Sequence, residues 1–153
     1  MTELRTDRLI LRQVSPDDWP IYERWHGEDR DEAWDEFTGD IGHWAVLGYG
    51  WFIVRKSDTP VGNVALHHPP AHGEPELAWN TYDGHRGAGY APEAARAVLD
   101  WAPTVIGDAR IVSYIDRNNA ASKRVAEKLG ARFDGEMATH DPKCEIWVHG
   151  GAA

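Results

Sequence analysis

Cysteine is nearly missing from this chain. Cys144 stands alone among 153 residues, so no intramolecular disulfide can form, and a reducing, cytoplasmic setting is expected. Long apolar runs are also missing. No stretch approaches the ~20 residues that cross a bilayer, and the opening MTELRTDRLILR has no apolar signal region, so no membrane partner is expected. Positive charge is scarce: 16 Lys and Arg face 25 Asp and Glu, a net charge of −9 with a pI near 5.3. Direct binding of nucleic acid is thereby disfavoured, because a phosphate backbone demands basic patches. An acidic surface suits a cationic amine instead. No repeat, low-complexity tract or linker divides the chain, so residues 1–153 read as one domain, long enough to bury a core. No His, Cys or Asp spacing matches a metal centre, and no metal is expected.

The patterning that is present alternates between periods of two and 3.6. RLILRQV (8–14) reads as a strand, and Ser15 followed by Pro16, Asp17 and Asp18 opens a helix through about Trp25. Residues 26–44, acidic and Trp-rich, predict one more short helix with irregular flanks. GWFIVRK (50–56) and VGNVALH (61–67) flank a turn at Ser57, Asp58 and Pro60, a hairpin pattern, and ELAWNT (76–81) is a third strand. A helix over 91–102, a strand RIVSYID (110–116), a helix over about 119–129 ending at Gly130, and two closing strands complete the order. The class is α/β with a mixed, mostly antiparallel sheet flanked by helices.

The stretch HRGAGYAPEAARAVLDWA (85–102) is the most informative. Ala91, Ala94, Ala95, Val98 and Ala102 mark one helical face, yet the residue before Pro92 is Ala91, a poor N-cap. First-turn amides are thus left without a side-chain acceptor, while Gly87 and Gly89 let a bulky group approach and Arg86 adds a positive charge. Such a helix mouth suits a phosphate, although a water-capped Gly turn has the same composition. Pro92 stands where a dinucleotide fingerprint needs its third glycine, and G-K-[ST] is absent, so neither a Rossmann motif nor a P-loop fits.

What does fit is R-x-x-G-x-A on Arg86, Gly89 and Ala91, followed by N-x-x-S on Asn119 and Ser122 and by a K-L-G helix end. On these residues the chain resembles the GNAT superfamily of CoA-dependent N-acyltransferases, and within it the ribosomal-protein N-terminal acetyltransferase branch. The resemblance implies a single GNAT-type domain whose central strand splays from its neighbour. It implies acetyl-CoA as co-substrate, with pyrophosphate on the amides of Arg86, Gly87, Ala88, Gly89, Tyr90 and Ala91. Trp79, Asn80 and Thr81 of the splayed strand would pair with pantetheine, and Asn119 would contact the same arm. Asn119 is equally suited to capping its helix.

Acyl transfer further needs a base for the ammonium and a proton for the leaving thiolate. Many relatives place a tyrosine donor seven residues after the asparagine; here that position is Ala126. The resemblance shifts the donor to Ser122, with Tyr114 as a second candidate, and points to Glu76 as the base. Ser122 could instead serve only its helix end, Tyr114 the core, and Glu76 the solvent. Acceptor choice is expected in residues 19–51. Ten Asp and Glu against two Arg between Asp17 and Asp40, interleaved with Trp19, Trp25 and Trp34, suit a cationic amine, whether a peptide N-terminus or a small molecule. The same pattern fits a solvated helix face. A homodimer is allowed. The rival readings are a catalytically inactive CoA-binding or sensing module and a pyrophosphate-binding module unrelated to acyl transfer.

Overall fold

The computed structural model describes residues 1–150; the last three residues of the expected 1–153 domain lie outside the described residues. Eight strands form one sheet in the order β1-β2-β3-β4-β5-β6-β8-β7. They are β1 (Glu3–Arg5), β2 (Ile10–Gln13), β3 (Trp51–Lys56), β4 (Thr59–His67), β5 (Glu76–Thr81), β6 (Ile111–Asp116), β7 (Arg132–Met137) and β8 (Cys144–His149). Every neighbouring pair is antiparallel except β5 and β6. The helices are α1 (Trp19–His26), α2 (Arg30–Leu47), α3 (Tyr90–Trp101), α4 (Pro103–Ile106) and α5 (Ala120–Lys128). Among the described residues no helix is long and apolar enough to cross a membrane.

The expected class holds: one α/β domain on a mostly antiparallel sheet. Its core joins Leu11, Phe52, Val54 and Val64 of the sheet to Tyr22 and Phe37 of the first two helices and Ala95 and Val98 of α3. Two expectations need correcting. The segment 26–44 holds an 18-residue helix, α2, rather than one short helix. Its buried positions Ala33, Phe37, Asp40 and Trp44 follow helical spacing, but one of them is an aspartate, and Gly39 and Gly42, which lie off that stripe, are poor helix formers. Asp40 is tolerated because Tyr22 Oη donates to its Oδ2 at 2.6 Å. The second correction concerns α3, which starts one residue earlier than expected, with Gly89 as N-cap and Pro92 in the third helical position.

Candidate functional site

The parallel junction is where the sheet opens. β5 pairs with β4 along its whole length, from His67↔Glu76 to Gly62↔Thr81, but meets β6 only at Glu76↔Val112. Val112 N donates to Pro75 O at 3.1 Å, and the next link is a side chain, Ser113 Oγ donating to Leu77 O at 2.5 Å. Ser113 thereby accepts from His149 Nε2 at 2.6 Å, and burial pushes His149 down to about 4, keeping it neutral. The backbone groups of residues 75 and 77 thus face β6. By the two-residue period those of Trp79 and Thr81 face the same way, past the point where β6 has left the strand. Asn80 differs from the sequence expectation: its backbone faces β4, opposite Asn63, and its Nδ2 donates to Asn63 Oδ1 at 3.0 Å.

Beyond the C-terminal end of β5 lies the mouth of α3. Gly87 and Gly89 have φ of +82° and +80°, the left-handed region in which a Cβ is strained, so both glycines are demanded by the backbone itself. No side chain caps the helix. Glu93, in the first turn, is turned away: it accepts from Thr6 Oγ1 at 2.5 Å and from Arg8 Nε at 2.8 Å, which ties the β1–β2 turn to α3. A cavity of about 550 Å³ opens at this mouth, lined by Arg86, Gly87, Gly89, Tyr90 and Ala91 and by α5. Ala88 is exposed and does not line it, and Arg86 pairs with Asp83 at 3.2 Å. Arg124 and Lys128 line it as well. These two cations escaped the sequence reading, although their i, i+4 spacing on α5 was there to be used.

A smaller cavity, about 220 Å³, fills the wedge between β5 and β6. Glu76, Tyr114 and Ser122 all line it, so the three residues expected to carry proton transfer share one space. Trp79, Asn80, Asn119 and Ser122 line both cavities and mark their junction. Asn119 caps α5, its Oδ1 accepting from Ser122 N at 3.1 Å, while still facing both cavities. Ala126, one further turn along, is fully buried with Ile115, Ala131 and Trp147 and offers no donor.

Histidines crowd the other end of β5. His67 of β4 and His72 of the β4–β5 loop approach Glu76 Oε1 through their Nδ1 atoms, at 3.8 Å and 3.5 Å. His140, from the β7–β8 loop, stacks on His72 at 4.1 Å and edges against Tyr114 at 4.5 Å. His43 of α2 stacks on His67 at 5.0 Å; its Nδ1 donates to Tyr49 O at 2.6 Å and its Nε2 accepts from His68 N at 3.0 Å, which makes it a neutral imidazole. Burial lowers both His43 and His72 from the usual histidine range. Spacing alone showed no metal centre, yet the donor atoms of His67, His72 and Glu76 lie within 4.8 Å of one another.

The acidic segment sits elsewhere. Asp29 caps α2 by accepting from Glu32 N at 3.0 Å, and Asp31 and Glu32 fill its exposed first turn. Trp19 and Trp34 pack edge to face at 5.3 Å. Of this segment only Arg24 and Trp25 line one of the three cavities, a space of about 340 Å³ beside Tyr82, Arg86 and the end of β5. The expected acidic, aromatic acceptor pocket is therefore not assembled by these carboxylates: Asp29 caps α2, Asp18 pairs with Arg55, Asp40 accepts from Tyr22, and Asp31 and Glu32 face solvent.

Known proteins share this architecture. Residues 8–132 match the acetyltransferase (GNAT) domain family. The uncharacterized N-acetyltransferase YjdG of Bacillus subtilis is 33% identical over 101 residues, which span 65% of this chain and 58% of YjdG. The crystal structure of an acetyltransferase from Agrobacterium tumefaciens superposes with a TM-score of 0.88 at 31% identity, covering 99% of this chain and 95% of that one. RimL, a ribosomal L7/L12 alpha-N-protein acetyltransferase in complex with coenzyme A, shares the fold at a TM-score of 0.71 and 14% identity, with 96% of each chain covered.

Proposed function

The chain belongs to the GNAT acetyltransferase family and is an N-acetyltransferase, and from that premise we propose that it moves the acetyl group of acetyl-CoA to a primary amine by direct attack within a ternary complex. The single observation that carries this reading is the junction of two cavities at Trp79, Asn80, Asn119 and Ser122. One cavity ends in uncapped helix amides and the cations Arg86, Arg124 and Lys128, which suit the phosphates of CoA; the other is lined by the carboxylates Glu76 and Asp116 and the hydroxyls of Ser113, Tyr114 and Ser122. The pantetheine arm would add an extra strand to β5 through the free backbone of Trp79 and Thr81, and an amide there would polarise the thioester carbonyl.

In the wedge, Glu76 takes a proton from the incoming ammonium, directly or through water, because only the free amine is a nucleophile. The amine nitrogen bonds to the carbonyl carbon, and collapse of the tetrahedral adduct breaks the C–S bond. Ser122 gives its proton to the departing sulfur and regains one from the amine nitrogen, which sheds its second proton as the neutral amide forms; Tyr114, whose hydroxyl burial pushes up, is the second donor available. The acceptor is a peptide N-terminus, by analogy with RimL, an alpha-N-protein acetyltransferase, or a small cationic amine. A cytoplasmic location, with its supply of acetyl-CoA, goes with this reading, as does function without nucleic acid or membrane; a homodimer is compatible with it. The test is a panel of N-terminal peptides and small amines, scored by free thiol released from acetyl-CoA. Thiol release dependent on an amine supports transfer. Acetyl-CoA binding with no release for any amine would favour an inactive CoA-binding module.

A further inference from the structure

The histidines at the start of β5 have more in common with a metal site than with a chance surface cluster. His67 Nδ1 and His72 Nδ1 stand 3.8 Å and 3.5 Å from the same oxygen, Glu76 Oε1, and all three donor atoms fall within 4.8 Å of one another. Ligands held ~2.0–2.2 Å from a tetrahedral zinc ion are about 3.3–3.6 Å apart. Two of the three separations are therefore close to those of a filled site. His72 Nδ1 is buried and has no hydrogen-bond partner, an unsatisfied atom in a folded interior. His67 is held between the rings of His43 and Trp51, and His72 between those of Tyr114 and His140, so both imidazoles are fixed in place by packing.

We propose that His67, His72 and Glu76 bind one divalent ion of the zinc class, leaving its fourth position open toward the β5–β6 wedge. Two imidazoles and one carboxylate are the donor set of a zinc site with an open position, whereas magnesium and calcium call for oxygen ligands throughout. The functional consequence rests on the role proposed for Glu76. A bound ion takes that carboxylate out of proton transfer and occupies the amine's approach, so zinc inhibits the enzyme in competition with the acceptor. Acetyl-CoA binds at the far end of the cleft and is unaffected.

The test is calorimetric titration of the metal-free full chain with zinc chloride, without substrates. One ion per chain is expected, with affinity falling at least ~10-fold in His72→Ala and in His67→Gln. His26→Ala, which alters a histidine paired with Glu36 at the surface, should bind as the wild type does. Acetyl-CoA affinity confirms that each variant is folded, and the two ligand variants guard against one of them failing to fold. Absence of saturable zinc binding, or unchanged affinity in the folded ligand variants, overturns the site. Acetyl transfer in the presence of a chelator is scored separately. Its failure would count against the activity reading while leaving zinc binding to stand or fall on calorimetry alone.

Discussion

The two ends of the β5–β6 cleft are built by different means. The end at the mouth of α3, where CoA is proposed to bind, is made largely of backbone: one contiguous stretch, residues 86–91, whose two glycines adopt positive φ and whose helix starts without a cap. The Glu76 end is made of side chains drawn from α2, β4, the β4–β5 loop, β5, β6 and the β7–β8 loop. A backbone site imposes residue types at fixed spacing, so it leaves a motif. A side-chain site needs only that certain groups arrive at one place, and many sequences can deliver them. The difference explains why a co-substrate can be common to a family while the acceptor varies.

The sharpest way to break this contrast is at Gly89. Gly89→Glu should abolish measurable acetyl-CoA binding, since a bulky anion would occupy the phosphate seat. Gly89→Ala should retain most binding and lose about 1–2 kcal/mol of stability from left-handed strain. Calorimetry for CoA and a thermal melt separate the two effects. If the glutamate variant binds acetyl-CoA as wild type does, the backbone end is not the CoA site.

Ser122 stands at the junction of the two ends. Ser122→Ala should lower kcat by ~10²-fold with little change in the KM for acetyl-CoA, the scale of losing a general acid. Full kcat under conditions where chemistry limits turnover would leave Ser122 with a role in its helix alone. Tyr114→Phe then becomes the informative variant.

At the side-chain end, Glu76→Gln should lower kcat ~10-fold or more, leaving acetyl-CoA affinity unchanged. A kcat equal to that of the wild type would assign the base elsewhere, with the neighbouring histidines next in line.

A smaller effect is expected beneath the same end, at Asp40. Burial raises its carboxyl from the ordinary ~3.9 to about 6, against the hydrogen bond from Tyr22, which lowers it. The folded chain therefore binds a proton more tightly than the unfolded chain. Its contribution to stability is full below about pH 4 and is lost as pH rises through about 6. Asp40→Asn should flatten that part of the stability curve, as read by melts from pH 4 to 7. An unchanged slope would assign the pH dependence to other groups.

The smallest effect belongs to the acidic helix start. Neutralising Glu28, Asp29, Asp31 and Glu32 together should leave the acceptor KM and its salt dependence close to wild type, with a modest loss of stability from the missing cap. A large change in salt slope would show that these carboxylates steer the amine despite facing outward.

Much of the architecture was legible. β5 was read with its bounds intact, and the β3–β4 hairpin, α3, β6, α5 and the closing strands were each found within a few residues. The losses have physical causes. β1 and α4 are too short to show a period, and α2 conceals its length behind a buried aspartate and two glycines. In the site, Gly89 and Asn119 were legible because positive φ and a helix cap restrict residue choice, whereas Arg86 stood out by its charge beside that turn and Ser122 by the family resemblance. His72 and His140 were not, because neither belongs to a periodic segment, and their meeting over Tyr114 depends on two loops.

The sequence by itself determined where backbone conformation is forced: glycines that most readily accept left-handed φ, an asparagine that caps α5, and alternating apolar residues that must bury one face of a strand. Tertiary structure alone decided where β5 and β6 part, and that Glu76 meets two imidazoles beside the opening. Parallel pairing joins strands across a long crossover, and its extent follows from how α3 and α5 pack beneath them. That is a balance of non-local contacts, which no local pattern records.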